Sequence, residues 1–251
     1  MPISKLVALV AVFFATSLIS VVTGSTSLIT VPAMIQFGVE PHVAVATNMM
    51  ALIFMSIGGS VPFARKGVLS TVRLPGLIII TILGSAIGAL LLLTVPKRTL
   101  ELVIAVAMIG VAVVTLSKKE IGTTAQPVSR TRETSGYAAT FLLAIYGGFF
   151  SGGYVTLLTI VFVLLFGMTL LQSVAATKIV NIVSSAVAVL IFAYRGAVNY
   201  RLGVILGITM FIGAVIGGHV ATKLSPVWLR RVFIAVVLGL ALKMLFSFVE
   251  S

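Results

Sequence analysis

From Gly147 to Ser185 the chain reads GGFFSGGYVTLLTIVFVLLFGMTLLQSVAATKIVNIVSS, an apolar run with a single charged residue, Lys178. It holds two things that a lipid-embedded segment normally avoids. Four glycines, Gly147, Gly148, Gly152 and Gly153, cluster at its start, dense enough to break a helix. Backbone freed from helix geometry survives in a membrane only where it lines a cavity or is packed in protein. A lysine at the centre of a spanning helix costs roughly 2.5–3.5 kcal/mol on insertion scales, so it faces a partner or a water-filled path. Together they predict an intramembrane site for an anion, with the rest of the chain repeating this unit or packing around it.

The wider sequence fits a membrane setting. Of 251 residues, 60% are hydrophobic and only 9% charged, with the charges confined to the joints between apolar runs. That pattern marks an all-α polytopic membrane protein. The net charge of +12 comes from basic residues scattered singly and in pairs. Such charge holds loops on the cytoplasmic side, whereas a nucleic-acid reader clusters it on one soluble face; no nucleic-acid partner is expected. The absence of cysteine excludes disulfides, thiolate metal sites and cysteine nucleophiles. There is no aspartate, and Glu40, Glu101, Glu120, Glu133 and Glu250 all sit at or near segment ends. A proton or sodium relay built on a carboxylate deep in the membrane is hard to assemble from that set. No cofactor or metal is expected.

In chain order, the N-terminal apolar run is read as a first span rather than a signal peptide, because it has a counterpart at about Tyr137–Ser151. Thr23–Thr30 interrupts it, and Leu28–Phe37, holding Pro32, follows. Ten residues of helix reach only about 15 Å, half the hydrocarbon core, so this piece is re-entrant or half of a broken helix. Spans follow at about Val43–Ala64, Leu74–Val95 and Leu100–Leu116. The polar stretch 117–136 links residues 1–116 to residues 137–251. There the order recurs: Tyr137–Ser151, the Gly152-Gly153 break, the short Tyr154–Phe166, then Leu170–Tyr194, Leu202–Ala221 and Trp228–Phe248.

Offsets of 129 or 130 relate Lys66-Gly67 to Arg195-Gly196, the run from Gly84 to that from Gly213, Pro96 to Pro226, and Ala46-Thr47-Asn48 to Ala176-Thr177-Lys178. Agreement to within one residue is the mark of duplication. The expected fold is two homologous four-helix halves, each with a broken or re-entrant glycine-rich element, with about eight transmembrane helices in all. Transporter sites commonly lie where such halves meet. If the short pieces stay on the far side, 11 basic residues share one side against 5; if each broken pair returns to its starting side, the split is 10 to 6 and the halves are inverted. Charge bias slightly favours the first.

The run from Tyr146 to Gly153, the short apolar piece to Gly167, and Ala175-Ala176-Thr177-Lys178-Ile179-Val180-Asn181 resemble the second half of the TauE/SafE sulfite-exporter family. Gly24 to Pro32, then Ala46-Thr47-Asn48, resemble its first half. The likeness covers nearly the whole chain, with one departure: Ser25-Thr26-Ser27 stand where the family carries three glycines. The resemblance implies transport of sulfite or a related small organosulfur anion across the cytoplasmic (inner) membrane.

Lys178 is the candidate charge partner, with snorkelling to an interface as the alternative. Asn181 lies one turn on, on the same face. Asn48 stands at the matching point of the first half. Gly24, Gly152 and Gly153 can present backbone N–H groups at positive helix ends. Ser25, Thr26, Ser27, Ser151, Thr47 and Thr177 supply hydroxyls, although such groups also bond their own backbone. For Gly84/Gly88 and Gly213/Gly217, close helix packing is the better reading. His42 and His219 lie near segment ends and read as interfacial.

The residues point to an anion site in a multi-pass membrane protein, and with the resemblance they imply a secondary transporter, an exporter of a small sulfur-containing anion, with homo-oligomerisation open. Two other readings share the residues: a passive anion channel, and an intramembrane hydrolase using Ser151, Ser184 or Ser185 with Lys178 as base.

Overall fold

A computed structural model describes residues 2–64, 73–116, 127–220 and 235–246. The Arg65-Lys66-Gly67 joint, most of the polar linker, the Ser225-Pro226 joint, the start of the last expected span and the side chain of His219 lie outside the described residues. Within them every regular element is an α-helix: α1 (Ile3–Thr23), α2 (Ser27–Gln36), α3 (Pro41–Ala64), α4 (Leu74–Thr94), α5 (Lys97–Leu116), α6 (Arg130–Phe149), α7 (Tyr154–Phe166), α8 (Leu170–Tyr194), α9 (Tyr200–Val220) and α10 (Ala235–Phe246). Among the described residues, α3, α4, α8 and α9 hold stretches long and apolar enough to cross a membrane. The protein is a multi-pass helical membrane protein.

The boundaries follow from local chemistry. Two short helices each lie between a pair of left-handed glycines: α2 between Gly24 (φ 73°) and Gly38 (φ 91°), α7 between Gly153 (φ 80°) and Gly167 (φ 64°). Only glycine takes that conformation without a Cβ penalty, so these positions fix where the chain turns. α8 opens on a reciprocal cap, in which Gln172 N–H donates to Thr169 Oγ1 (3.2 Å) and Thr169 N–H to Gln172 Oε1 (3.0 Å). α6 starts at Arg130, ahead of the apolar run at Tyr137, because Ser129 accepts the Arg132 N–H and caps a polar first turn.

The short helices turn back on the ones before them. Lys5 Nζ donates to Phe37 O (3.4 Å), which puts the end of α2 beside the start of α1. Arg132 donates to Leu164 O, and Arg73 donates to Phe166 O (3.0 Å), which puts the end of α7 beside the start of α6. Each of these cations meets carbonyls at a helix C-terminus, where positive charge is favoured.

Contacts at small residues give the directions of the longer helices. Gly203 meets Met50, Gly207 meets Phe54 and Phe211 meets Gly58, so α9 runs parallel to α3. Gly213 meets Phe14 and Ser17, and Gly217 meets Leu18, so α9 also runs with α1. Gly84 meets Phe141 and Ala144, and Gly88 meets Ile145 and Phe149, so α4 runs with α6. Ser56 meets Asn181 and Gly59 meets Lys178, so α3 and α8 are antiparallel. The helices α6 and α8 thus run opposite to α1 and α3. The end of each short helix lies at the same end of the bundle as the start of the helix before it.

At both pairs of close-packed glycines a methyl group has no room. A Cβ on Gly84 would stand 2.8 Å from Phe141 O, and one on Gly217 2.6 Å from Leu18 O. The opposite faces of these helices are apolar and exposed, with Ile79, Leu83 and Ile87 on α4 and Val204, Ile208, Ile212 and Ile216 on α9. Small residues inside and branched aliphatics outside is the pattern of a helix between protein and lipid. The antiparallel pair α3 and α8 lies at the centre. α3 packs on α2, α8 and α9, and α8 packs on α3, α4 and α7.

Candidate functional site

The two elbows, one leading into α2 and one into α7, meet in the interior. Ser25 Oγ and Thr156 Oγ1 are hydrogen-bonded at 2.7 Å. A Cβ at Gly24 would lie 3.0 Å from Thr156 Oγ1, so glycine there allows one elbow to sit against the other. Neither α2 nor α7 carries a side-chain cap. Their N-terminal ends therefore converge as two positive dipole ends.

A cavity opens beside this junction, lined by Gly24, Thr26, Ser27, Leu52, Met55, Ser56, Ser151, Val155, Lys178 and Asn181. Its volume is about 10 Å³, room for one water molecule. Lys178 and Asn181 are each 3% exposed. Asn181 is the twelfth residue of the 25-residue α8, so the site lies about halfway along that helix.

Among the described residues the Lys178 ammonium forms no hydrogen bond and no ion pair. Room for it is made by Gly59, whose Cβ position lies 3.5 Å from Lys178 Cε and 3.7 Å from Nζ. The snorkelling alternative does not describe this side chain, which is buried against α3.

Two asparagines set the polarity of the lining. Thr30 Oγ1 donates to Asn48 Oδ1 (2.7 Å), and Asn48 Nδ2 donates to Ser27 Oγ (2.9 Å). Asn181 Nδ2 donates to Ser56 Oγ (2.7 Å). Each serine oxygen thus already accepts one bond, and among the described residues its own hydrogen has no partner. Ser151 Oγ also makes no hydrogen bond among the described residues. A hydroxyl carries one donor, and an ammonium three donors and no acceptor. The cavity therefore offers hydroxyl hydrogens from Ser27, Ser56 and Ser151 beside one cation. Such a lining solvates negative charge.

Ser151 carries a second mark. Its φ is +63°, and it is the non-glycine residue with positive φ among the described residues. That conformation costs about 1–2 kcal/mol outside glycine, and strain of this kind gathers at functional sites. Thr26 Oγ1 lies 3.4 Å from Met55 Sδ, with Leu52 and Val155 completing an apolar wall.

Of the residues that the sequence singled out, Gly24, Thr26, Ser27, Ser151, Lys178 and Asn181 line the cavity. The others stand behind it. Asn48 orients Ser27, and Ser25 ties the elbows. Thr47 accepts the Asn199 N–H (3.1 Å) and holds the start of α9 to α3. Thr177 donates to Val174 O within its own helix. Gly152 is closed in by Phe150 and Leu28, its carbonyl accepting from the Tyr146 hydroxyl, and Gly153 abuts Val111. Sequence reasoning missed Ser56, Met55, Leu52 and Gly59. The Gly58-Gly59 pair inside an apolar helix was the available signal.

At the end of α3 near Lys5, His42 lies between Glu40 Oε1 and Val95 O, both at 2.9 Å, joining the entry of α3 to the α4–α5 joint. Among the described residues no cluster of His, Cys, Asp or Glu could hold a metal ion.

The profile of a family described as "Sulfite exporter TauE/SafE" matches residues 8–244. A probable membrane transporter protein ORF9 from Sinorhizobium sp is 28% identical over 236 residues, covering 94% of this chain and 90% of that protein. A probable membrane transporter protein from Haemophilus influenzae is 24% identical over 222 residues, 88% and 86% of the two chains. The probable membrane transporter protein YfcA of Escherichia coli K12 is 26% identical over 232 residues, 90% and 84%. No solved structure matches.

Proposed function

The chain belongs to the TauE/SafE family of membrane transporters, and from that premise we propose that it exports sulfite or a closely related small sulfur oxyanion across the inner membrane. The observation that carries this reading is the buried ammonium of Lys178, unpaired among the described residues, in a cavity where Ser27, Ser56 and Ser151 have hydroxyl hydrogens left to donate. Burying an unpaired charge is costly, and an anion in contact with it offsets the cost.

The reading extends to the whole molecule. α1–α5 and α6–α10 are two repeats related by inversion, with the left-handed glycines flanking α2 and α7 fourteen residues apart in each. In each repeat the hairpin, α1–α2 or α6–α7, enters and leaves on one side, and the other three helices cross. Inverted repeats with broken helices facing the midplane are a recurring transporter plan. The anion sits between the two elbows, on Lys178 and the serine hydroxyls, with both helix N-termini directed at it. Alternating exposure comes from rocking the hairpins about their glycines. An inside-negative potential favours loss of an anion from the cell by roughly 2.3 kcal/mol per charge per 100 mV, so export needs no membrane carboxylate.

Uptake and efflux in proteoliposomes with sulfite, thiosulfate, sulfoacetate and sulfate, with and without a pH gradient, test the proposal. Saturable flux of at least one of the sulfur anions is expected. Unsaturable conductance to all four favours a channel, and no flux of any refutes the reading.

A further inference from the structure

Among the described residues, four buried side-chain atoms have no hydrogen-bond partner: Tyr154 Oη, Ser173 Oγ, Ser185 Oγ and Asn181 Oδ1. Three are hydroxyls, which can donate or accept. Asn181 Oδ1 alone can only accept, and of the four residues only Asn181 lines the cavity. Its amide is held in place, because Nδ2 is committed to Ser56 Oγ at 2.7 Å on the facing helix. An otherwise donor-rich anion site thus carries one fixed acceptor beside the lysine, three residues away on the same face of α8.

A simple oxyanion has nothing to give that acceptor. Every oxygen of a sulfonate or a sulfate dianion is itself an acceptor, and setting one against Asn181 Oδ1 leaves the amide oxygen buried and unsatisfied. We infer that the site selects a singly charged oxyanion that bears its own donor hydrogen on or next to the central atom, with the charged oxygens on Lys178 and the serines and the X–H donating to Asn181 Oδ1. This rests on the anion-transport reading above and narrows it. Hydrogen sulfite belongs to the class, while sulfate and alkylsulfonates fall outside it. The charge count agrees, since one ammonium and no other charged side chain lines the cavity.

Sulfamate and methanesulfonate separate the cases. They are monoanions of nearly the same size and shape, one with an amino group that donates and the other with a methyl group that cannot. A buried acceptor left unsatisfied corresponds to about a tenfold loss in affinity. Inhibition of radiolabelled sulfite transport in proteoliposomes by the two anions gives the ratio. Thermal stabilisation of the purified protein by each anion gives it again without requiring transport.

In the wild type, sulfamate is expected to act at about one-tenth the concentration of methanesulfonate. In Asn181→Val the ratio falls towards unity. It falls also in Ser56→Ala, where the amide loses its anchor and can turn its N–H groups into the cavity. Equal action of the two anions on a wild-type protein that transports sulfite overturns this inference and leaves the transport reading standing. A wild-type ratio that persists in both variants overturns it as well. A wild-type protein that neither transports sulfite nor is stabilised by any of the anions overturns the transport reading itself.

Discussion

Replacing Lys178 by methionine separates a functional charge from a structural one, because the two roles predict opposite signs. Methionine keeps the length of the side chain and removes the ammonium. In the wild type Lys178 is 3% exposed, and its ammonium has no ion pair or hydrogen bond among the described residues. A lysine at the centre of a membrane helix costs about 2.5–3.5 kcal/mol on insertion scales. Lys178→Met therefore stabilises the purified, anion-free protein by about 2–3 kcal/mol on the same scale. The same change deletes a charged contact to the anion, worth about 1.5–3 kcal/mol, so affinity falls by roughly 10- to 150-fold. Thermal unfolding in detergent, with and without sulfite, reads both terms. The wild type gains about 2.7 kcal/mol at a sulfite concentration 100 times its Kd, and Lys178→Met starts higher and gains almost nothing. A variant that unfolds more easily than the wild type in the absence of anion refutes the reasoning, since the lysine would then be paired and holding the fold together.

Four further outcomes follow. Gly88→Ala drives a methyl group into Ile145 O on α6, and a loss of about 1–3 kcal/mol in thermal stability is expected from overpacking. Gly59→Ala, whose new carbon meets Lys178 Cε at an ordinary 3.5 Å, gains up to about 1 kcal/mol from helix propensity; a large loss of stability would show that the gap beside the lysine is smaller than described. Ser151→Gly relieves about 1 kcal/mol of left-handed strain while removing a donor from the cavity, so unfolding temperature rises as sulfite flux falls, and hydrolysis by the wild type that disappears in Ser151→Ala would favour the enzyme reading instead. For Glu40, partial burial pushes the carboxyl up, but the His42 ring, the Val43 N–H and Lys97 outweigh it and hold it below the ordinary 4.5. A carboxylate depressed in the folded state contributes stability that is present above pH 4.5 and is lost as pH falls through the lower, folded value, so Glu40→Gln flattens the acid limb of the stability curve and leaves the neutral region's slope unchanged.

The short helices were legible because glycine and hydroxyl breaks in an apolar run leave few residues between them. Gly24, Gly38, Gly153 and Gly167 turned out to be the left-handed positions that bound α2 and α7. Lys178 and Asn181 were legible because polar side chains stand out against lipid-compatible neighbours. The direction of the second set of helices was not, since it depends on which surfaces pack and the loop charges differ by only one residue between the alternatives. Ser56 and Gly59 escaped for a related reason: they reach the site only because α3 crosses α8 antiparallel, and the Gly58-Gly59 pair marks a close approach without saying which helix makes it. Thr47 and Asn48 looked like ligands because their neighbours in the repeat do. In the fold they hold other groups in place, Asn199 and Ser27 respectively.

Equilibrium binding of radiolabelled sulfite to the purified protein tests the central claim most directly. The account predicts saturable binding at one site per chain, and loss of that binding in Lys178→Met although the variant is folded and more stable. Undiminished binding in Lys178→Met would contradict it, because the charge that the cavity is built around would then have no part in holding the anion.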